Sequence, residues 1–230
     1  MPRASKPMLA YKGKAKLKKR VLAKIAAQRE AGRIAKGPSV GTGRSTTWGA
    51  VGCLLEDPDG GHKRYESELG IPGQLAHLED TIFESLPDEL AQAWPERFMG
   101  AIGVGADLEE VWPRFAVWLM VDERWGVFGA TDDEEVRAIC RRVADGYTRT
   151  GDGDPPSDEE AATLAKDAWS AWEARATVAT ADQWAARAAR ATWDGRAAGA
   201  APAAWAARNE WDQHVQASAG KLIELLEEAN

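Results

Sequence analysis

The sequence has only two cysteines, three histidines and three tyrosines, and no apolar run approaches the ~18 residues a membrane span requires. Cys53 and Cys140 lie far apart with no CxxC spacing, so they read as two buried, reduced thiols rather than a disulfide or a redox pair. No HExxH or similar spacing marks a metal centre, and the reading calls for no metal and no cofactor. The basic N-terminus is followed by no uninterrupted apolar stretch, which argues against a secretory signal. No run of four or more alternating residues marks a strand. These absences leave the expectation of an all-α, cytoplasmic protein with no membrane partner.

Charge is what the chain has in excess, and it is unevenly placed. The first 36 residues hold twelve Lys and Arg against one acid, Glu30, a net +11. The other 194 hold 17 basic and 35 acidic side chains, a net −18. A basic arm on an acidic body can engage an anionic partner.

Periodicity gives the organisation. Over residues 14–36, Leu17, Val21, Ile25 and Gln28 recur at helical steps, with Gly37-Pro38 as the stop. Residues 37–47 read as a loop. The short apolar run 48–55 leans towards helix. Further helices are predicted over 72–86, 107–121 (with Pro113 inside), 131–148, 158–194 and 202–228, and Pro95 predicts a kink or restart within 88–102. Capping boxes are expected at Thr131–Glu134 and Ser157–Glu160. Six of the eleven Trp follow Ser157, in an Ala- and Arg-rich segment broken at 199–202. The architecture expected is a basic N-terminal helix (1–36), a helical body (37–150), a linker at 151–156, and an Ala/Trp-rich antiparallel helical hairpin (157–230).

Several stretches carry a resemblance: AYKGKAKLKKRVLAKIAAQREAGRIAKG, WGAVGCLLE, HKRYESELGIPGQLAHLEDTIFESLP, WPERFMGAIGVGADLEEVWPRFAVWLM and the closing KLIELLEEA. In order and spacing the chain resembles a family found in bacterial chromosomes and bacteriophages, with a mixed helical N-terminal region and an Ala/Trp/Arg-rich C-terminal segment. That family has no established activity, so the resemblance implies no catalytic residue. It points to a host-modulating or counter-defence role by analogy. Its members commonly carry a second Cys four residues before the one matching Cys53, after a Gly-Lys-Gly. Gly49 stands there here, preceded by Thr47 and Trp48.

Each candidate chemistry has a bland counterpart. GPSVGTGRST lacks the glycine and lysine of a phosphate loop. Asp57, Asp59 and Glu68 have part of a calcium-loop spacing, but Gly61 and His62 occupy positions where an oxygen ligand and the turn glycine belong. Cys53, His62 and Glu66 are a weak nucleophile–base–orienter set, with a buried Cys and a surface His–Glu pair as the alternative. His77 precedes Glu79 and Asp80, two acids expected to point away from it. Lys12, Lys16, Lys18, Lys19, Arg20 and Lys24 are candidates for nucleic-acid or anion binding, or for a solvated face docked on the acidic body. Of the C-terminal indoles, Trp184, Trp193 and Trp205 are the interface candidates, the rest filling gaps between Ala-rich helices.

Three functions follow in order. The first is a non-enzymatic module binding a bacterial or phage protein, with homo-oligomerisation through the hairpin. The second is nucleic-acid association through residues 12–36. The third is an enzyme centred on Cys53 and His62.

Overall fold

Gly32, rather than Gly37, ends the basic helix. In the computed structural model, which describes residues 8–37, 47–56, 61–175, 181–193, 201–206 and 209–230, α1 spans Ala15–Glu30. Gly32 takes a left-handed φ of 64° and Arg33 N–H reaches back to Gln28 O at 3.0 Å, closing the last turn. The protein is all-α: among the described residues, β pairing is confined to two isolated bridges, Leu9 with Asp107 and Ile34 with Trp48.

The chain divides into two compact units, residues 1–111 with 223–230, and residues 112–222. Both ends of the expected linker at 151–156 thus lie inside the second unit. In the first unit α1 buries Val21, Ile25 and Gln28. The apolar run after Gly49 is helical, α2 (Ala50–Leu55), with every residue buried, and it stops at Glu56, whose φ is 52°. A short α3 (His62–Arg64) runs directly into a π turn, Tyr65–Leu69, ended by Gly70. Only glycine fits there: φ is 67° and a Cβ would collide with Leu9 O. Next come α4 (Gly73–Ser85), α5 (Asp88–Ala91) and α6 (Trp94–Ala101). Pro95 sits in the first turn of α6, so it restarts a helix rather than kinking one.

The helix expected from residue 107 starts later. α7 covers Val111–Val121, which places Pro113 in its first turn, where a missing N–H breaks no hydrogen bond.

The second unit begins within α7 and continues with α8 (Val127–Ala130) and α9 (Glu134–Gly151). The cap of α9 is Asp133, not Thr131: its carboxylate accepts from Glu135 and Val136 N–H. Thr131 Oγ1 instead receives Asp133 N–H and donates to Asp182 at 2.5 Å. Val136, Ile139, Cys140 and Val143 form the buried stripe of α9. The Ser157–Glu160 capping box is present and opens α10 (Asp158–Ala174).

The single helix expected over 158–194 is two. α10 ends at Arg175, whose guanidinium holds Asp133 and Glu135 on α9 as well as Ala171 O. α11 (Ala181–Trp193) packs back on α10 in antiparallel sense, its terminal Trp193 donating to Ala161 O near the start of α10. The hairpin expected between 158–194 and 202–228 is not the antiparallel pair observed, which is α10 with α11. α12 (Ala201–Ala206) and α13 (Trp211–Glu228) follow. Among the described residues no helix is long and apolar enough to cross a membrane.

Candidate functional site

Nine of the ten described cations of the N-terminal segment fall into two groups; the tenth, Arg33, has a buried Nε without a partner. One group is consumed by the fold. Lys18 Nζ donates to Gly100 O and Ile102 O, both at 2.7 Å, satisfying carbonyls at the end of α6, and desolvation there lowers its pKa. Lys24 pairs with Glu56 at 3.4 Å, Arg29 with Glu96 at 2.5 Å, and Lys36 with Asp88 at 2.9 Å and with Leu86 O. The basic helix is thus docked on its own unit, and Lys18 and Lys24 belong to the docking rather than to a free binding face.

The second group converges. Lys12, Lys14, Lys16, Lys19 and Arg20, all exposed, line one open groove of about 660 Å³. None of the five forms an ion pair with another described residue. Leu17 and Ala23 give the groove an apolar floor, and Glu68 is its one acid. Lys12 and Lys14 reach it because the chain turns left-handed just before α1, with φ of 53°, 51° and 67° at Tyr11, Lys12 and Gly13. For non-glycine residues such backbone costs about 1–2 kcal/mol each. Anchors offset that strain: Tyr11 donates its phenol to Met99 O at 2.6 Å, and Ala10 exchanges backbone hydrogen bonds with Gly105 and Ala106. Strain held this firmly beside a groove is a feature associated with function.

The other chemistry-bearing residues of this unit gather around α4. Glu79 is wholly buried, and desolvation holds its carboxyl well above the usual range, although Tyr65 donates to Oε2 at 2.7 Å. Glu79 Oε1 has no partner, and Trp94 Nε1 donates to the Glu79 backbone carbonyl at 3.0 Å. The expected Cys53–His62–Glu66 set is not assembled. Cys53 is fully buried, its thiol points at Ala50 O, and burial pushes its pKa far up, the reverse of what a nucleophilic thiolate needs. Glu66 accepts Gly73 N–H at the start of α4. His62 instead lies 3.4 Å from Asp80 and stacks on His77 with ring centroids 3.9 Å apart. Asp80, read from spacing as turned away from His77, is the carboxylate that His62 meets. Among the described residues no three His, Cys, Asp or Glu are placed to hold a metal. The phosphate-loop-like residues 38–46, with Asp57 and Asp59, lie outside the described residues. Glu68 is tied to Arg64 at 2.6 Å.

In the second unit one of the three expected interface indoles is buried and two are half-buried. Trp205 is buried against Trp125 and His214, Trp193 is half-buried and edge-on to Tyr147, and Trp184 lies half-buried under Arg187. The most exposed is Trp169, at 44%. A second groove, about 370 Å³, contains Arg142 and Arg149. Both are already neutralised, by Asp167 at 2.7 Å and by Glu160 and Asp154 at 3.3 and 3.5 Å. Of these two grooves, the one on α1 has cations that form no ion pair among the described residues.

Comparison of the chain with protein-family models, with curated proteins and with solved structures finds no match.

Proposed function

We propose that this chain is a non-enzymatic interaction protein whose α1 groove binds an acidic, partly apolar segment of a bacterial or phage protein, within the cytoplasm. One observation carries the reading: five cations share a groove with apolar lining and none forms an ion pair among the described residues, while Lys18, Lys24 and Arg29 on α1 are each engaged. Like charges held together repel one another, so an anion that enters relieves a cost as well as gaining attraction.

The floor favours a peptide. Leu17 and Ala23 offer apolar surface worth about 25 cal/mol per Å² when covered, which a phosphodiester backbone does not use. The lining of α1 from Lys16 to Ala23 extends about 10 Å, long enough for roughly three residues of extended peptide. The −18 remainder of the chain opposes a long polyanion passing over it. The same five cations support nucleic-acid binding as the second reading.

Titration by fluorescence anisotropy with a labelled Glu/Leu peptide and with a labelled oligo-dT separates the two. The proposal expects saturable peptide binding, with oligo-dT weaker and more salt-sensitive, up to a slope of about −3.5 in log K against log salt for five neutralised phosphates. Tighter binding of oligo-dT than of the peptide at physiological salt would establish the second reading instead.

A further inference from the structure

We infer that Glu68 is a selectivity residue, which makes the groove accept a peptide and disfavour a continuous polyanion. The inference rests on the reading of the groove as a peptide-binding site. Glu68 is the one acid in a lining whose other charged groups are all cations. Its side chain is about half exposed, at 45%, so a ligand in the groove can meet it.

The carboxylate has a partner on its own stretch of helix. Arg64 Nε donates to Oε1 at 2.6 Å from one turn earlier, and the same guanidinium reaches Leu55 O at 3.4 Å, at the end of α2. The π turn that carries Glu68 is pinned at both ends. Tyr65 is fixed at the start by its buried hydrogen bond to Glu79. At the end, Gly70 packs so closely on Leu9 that no Cβ fits between them. Leu9 in turn accepts Lys12 N–H at 2.8 Å, within the left-handed turn that brings Lys12 to the groove. One chain of contacts thus sets the position of Glu68 relative to Lys12, across the groove they share.

The chemistry of an acid among cations follows from what each ligand offers. A phosphodiester backbone presents only acceptor oxygens and negative charge, so it meets Glu68 as repulsion. A peptide presents N–H donors between its carboxylates, and Glu68 accepts from one of them while the cations take the acids. Specificity by a repulsive element against the wrong ligand is a general device.

The test uses Glu68→Gln in the full chain, with the labelled Glu/Leu peptide and oligo-dT as probes. Oligo-dT binding is expected to tighten about fivefold and peptide binding to weaken about fivefold, the scale of one rim charge. Tightening of both probes alike would overturn the inference, since Glu68 would then contribute net charge only, and so would no change in either. Neither result touches the reading of the groove, which fails separately if the unaltered chain binds no peptide. Arg64→Gln controls for disturbance of the turn. It removes a positive charge and leaves Glu68, so oligo-dT should bind more weakly; tightening there as well would show that the Glu68→Gln effect came from a loosened turn, and the inference would fall.

Discussion

Tyr65 donates its phenol to Glu79 Oε2 at 2.7 Å with both side chains fully buried, and the other carboxyl oxygen of Glu79 is left without a partner. Desolvation pushes that carboxyl well above the usual range, with Asp80 adding to the upward shift. The unfolded chain ionises the same group from about pH 4.3 upward. Stability from this site is therefore full below that pH and declines as pH rises towards the folded value.

Glu79→Gln keeps the acceptor for Tyr65 and removes the ionisation. Its melting temperature should exceed that of the unaltered protein at pH 8, with the difference shrinking towards pH 4. For a chain of this size each kcal/mol gained moves Tm by roughly 2–4 °C. A variant less stable at pH 8 would mean that the buried acid is ionised and paired.

His214 slopes the other way. It is buried between Trp205 and the backbone carbonyl of Trp125, and desolvation lowers its pKa from 6.5 to about 4. The unfolded chain takes up a proton as pH falls below 6.5 while the folded chain does not, so stability is full above 6.5 and is lost on the way down through about 4. At the acid end the loss is on the order of 3 kcal/mol. His214→Asn, with a donor near the Nδ1 position, should flatten this limb in pH-dependent urea unfolding. An unchanged acid limb would place the loss elsewhere.

The two kinds of basic residue on α1 should separate on mutation. Lys18→Met leaves the Gly100 and Ile102 carbonyls without their donor and should cost about 1–2 kcal/mol, as for hydrogen bonds to a partly exposed charged group. Lys19→Gln should change stability by less than about 0.5 kcal/mol, as an exposed unpaired charge. Equal costs in chemical denaturation would contradict the division made here.

Cys53 and Cys140 are both fully buried, and burial pushes the Cys140 thiol up to about 12 and Cys53 further. Neither should react with a thiol-specific reagent at pH 7.5 until the chain unfolds. Rapid labelling of Cys53 in the native protein would reopen the nucleophile reading.

What the sequence revealed was periodicity; what it hid was the company each side chain keeps. Val136, Ile139, Cys140 and Val143 announce α9 because their spacing is helical whatever they pack against. The stop at Gly32 was legible in principle, since a glycine five residues before Gly37 offers the same left-handed cap. Lys18 precedes Val21 and Ile25 at three- and seven-residue steps, which puts it on the border of the buried stripe. Its role as a cap for α6 still depends on a helix some eighty residues away. Glu79 falls among Leu75, Leu78, Ile82 and Phe83, so its burial could be read from the face it occupies. That His62 meets Asp80 rather than Glu66 could not, because two separate elements bring them together. The groove was half visible: the cations were evident, but which of them were already taken required the fold.

Replacing Lys16, Lys19 and Arg20 together by Gln, and measuring the affinity of the labelled Glu/Leu peptide at physiological salt, shows whether the α1 groove is the binding site. Three surface ion pairs of up to about 1 kcal/mol each predict a loss near 2 kcal/mol, roughly a thirtyfold weaker Kd, with Tm unchanged. Peptide affinity that survives the triple substitution, with the fold intact, would contradict the account.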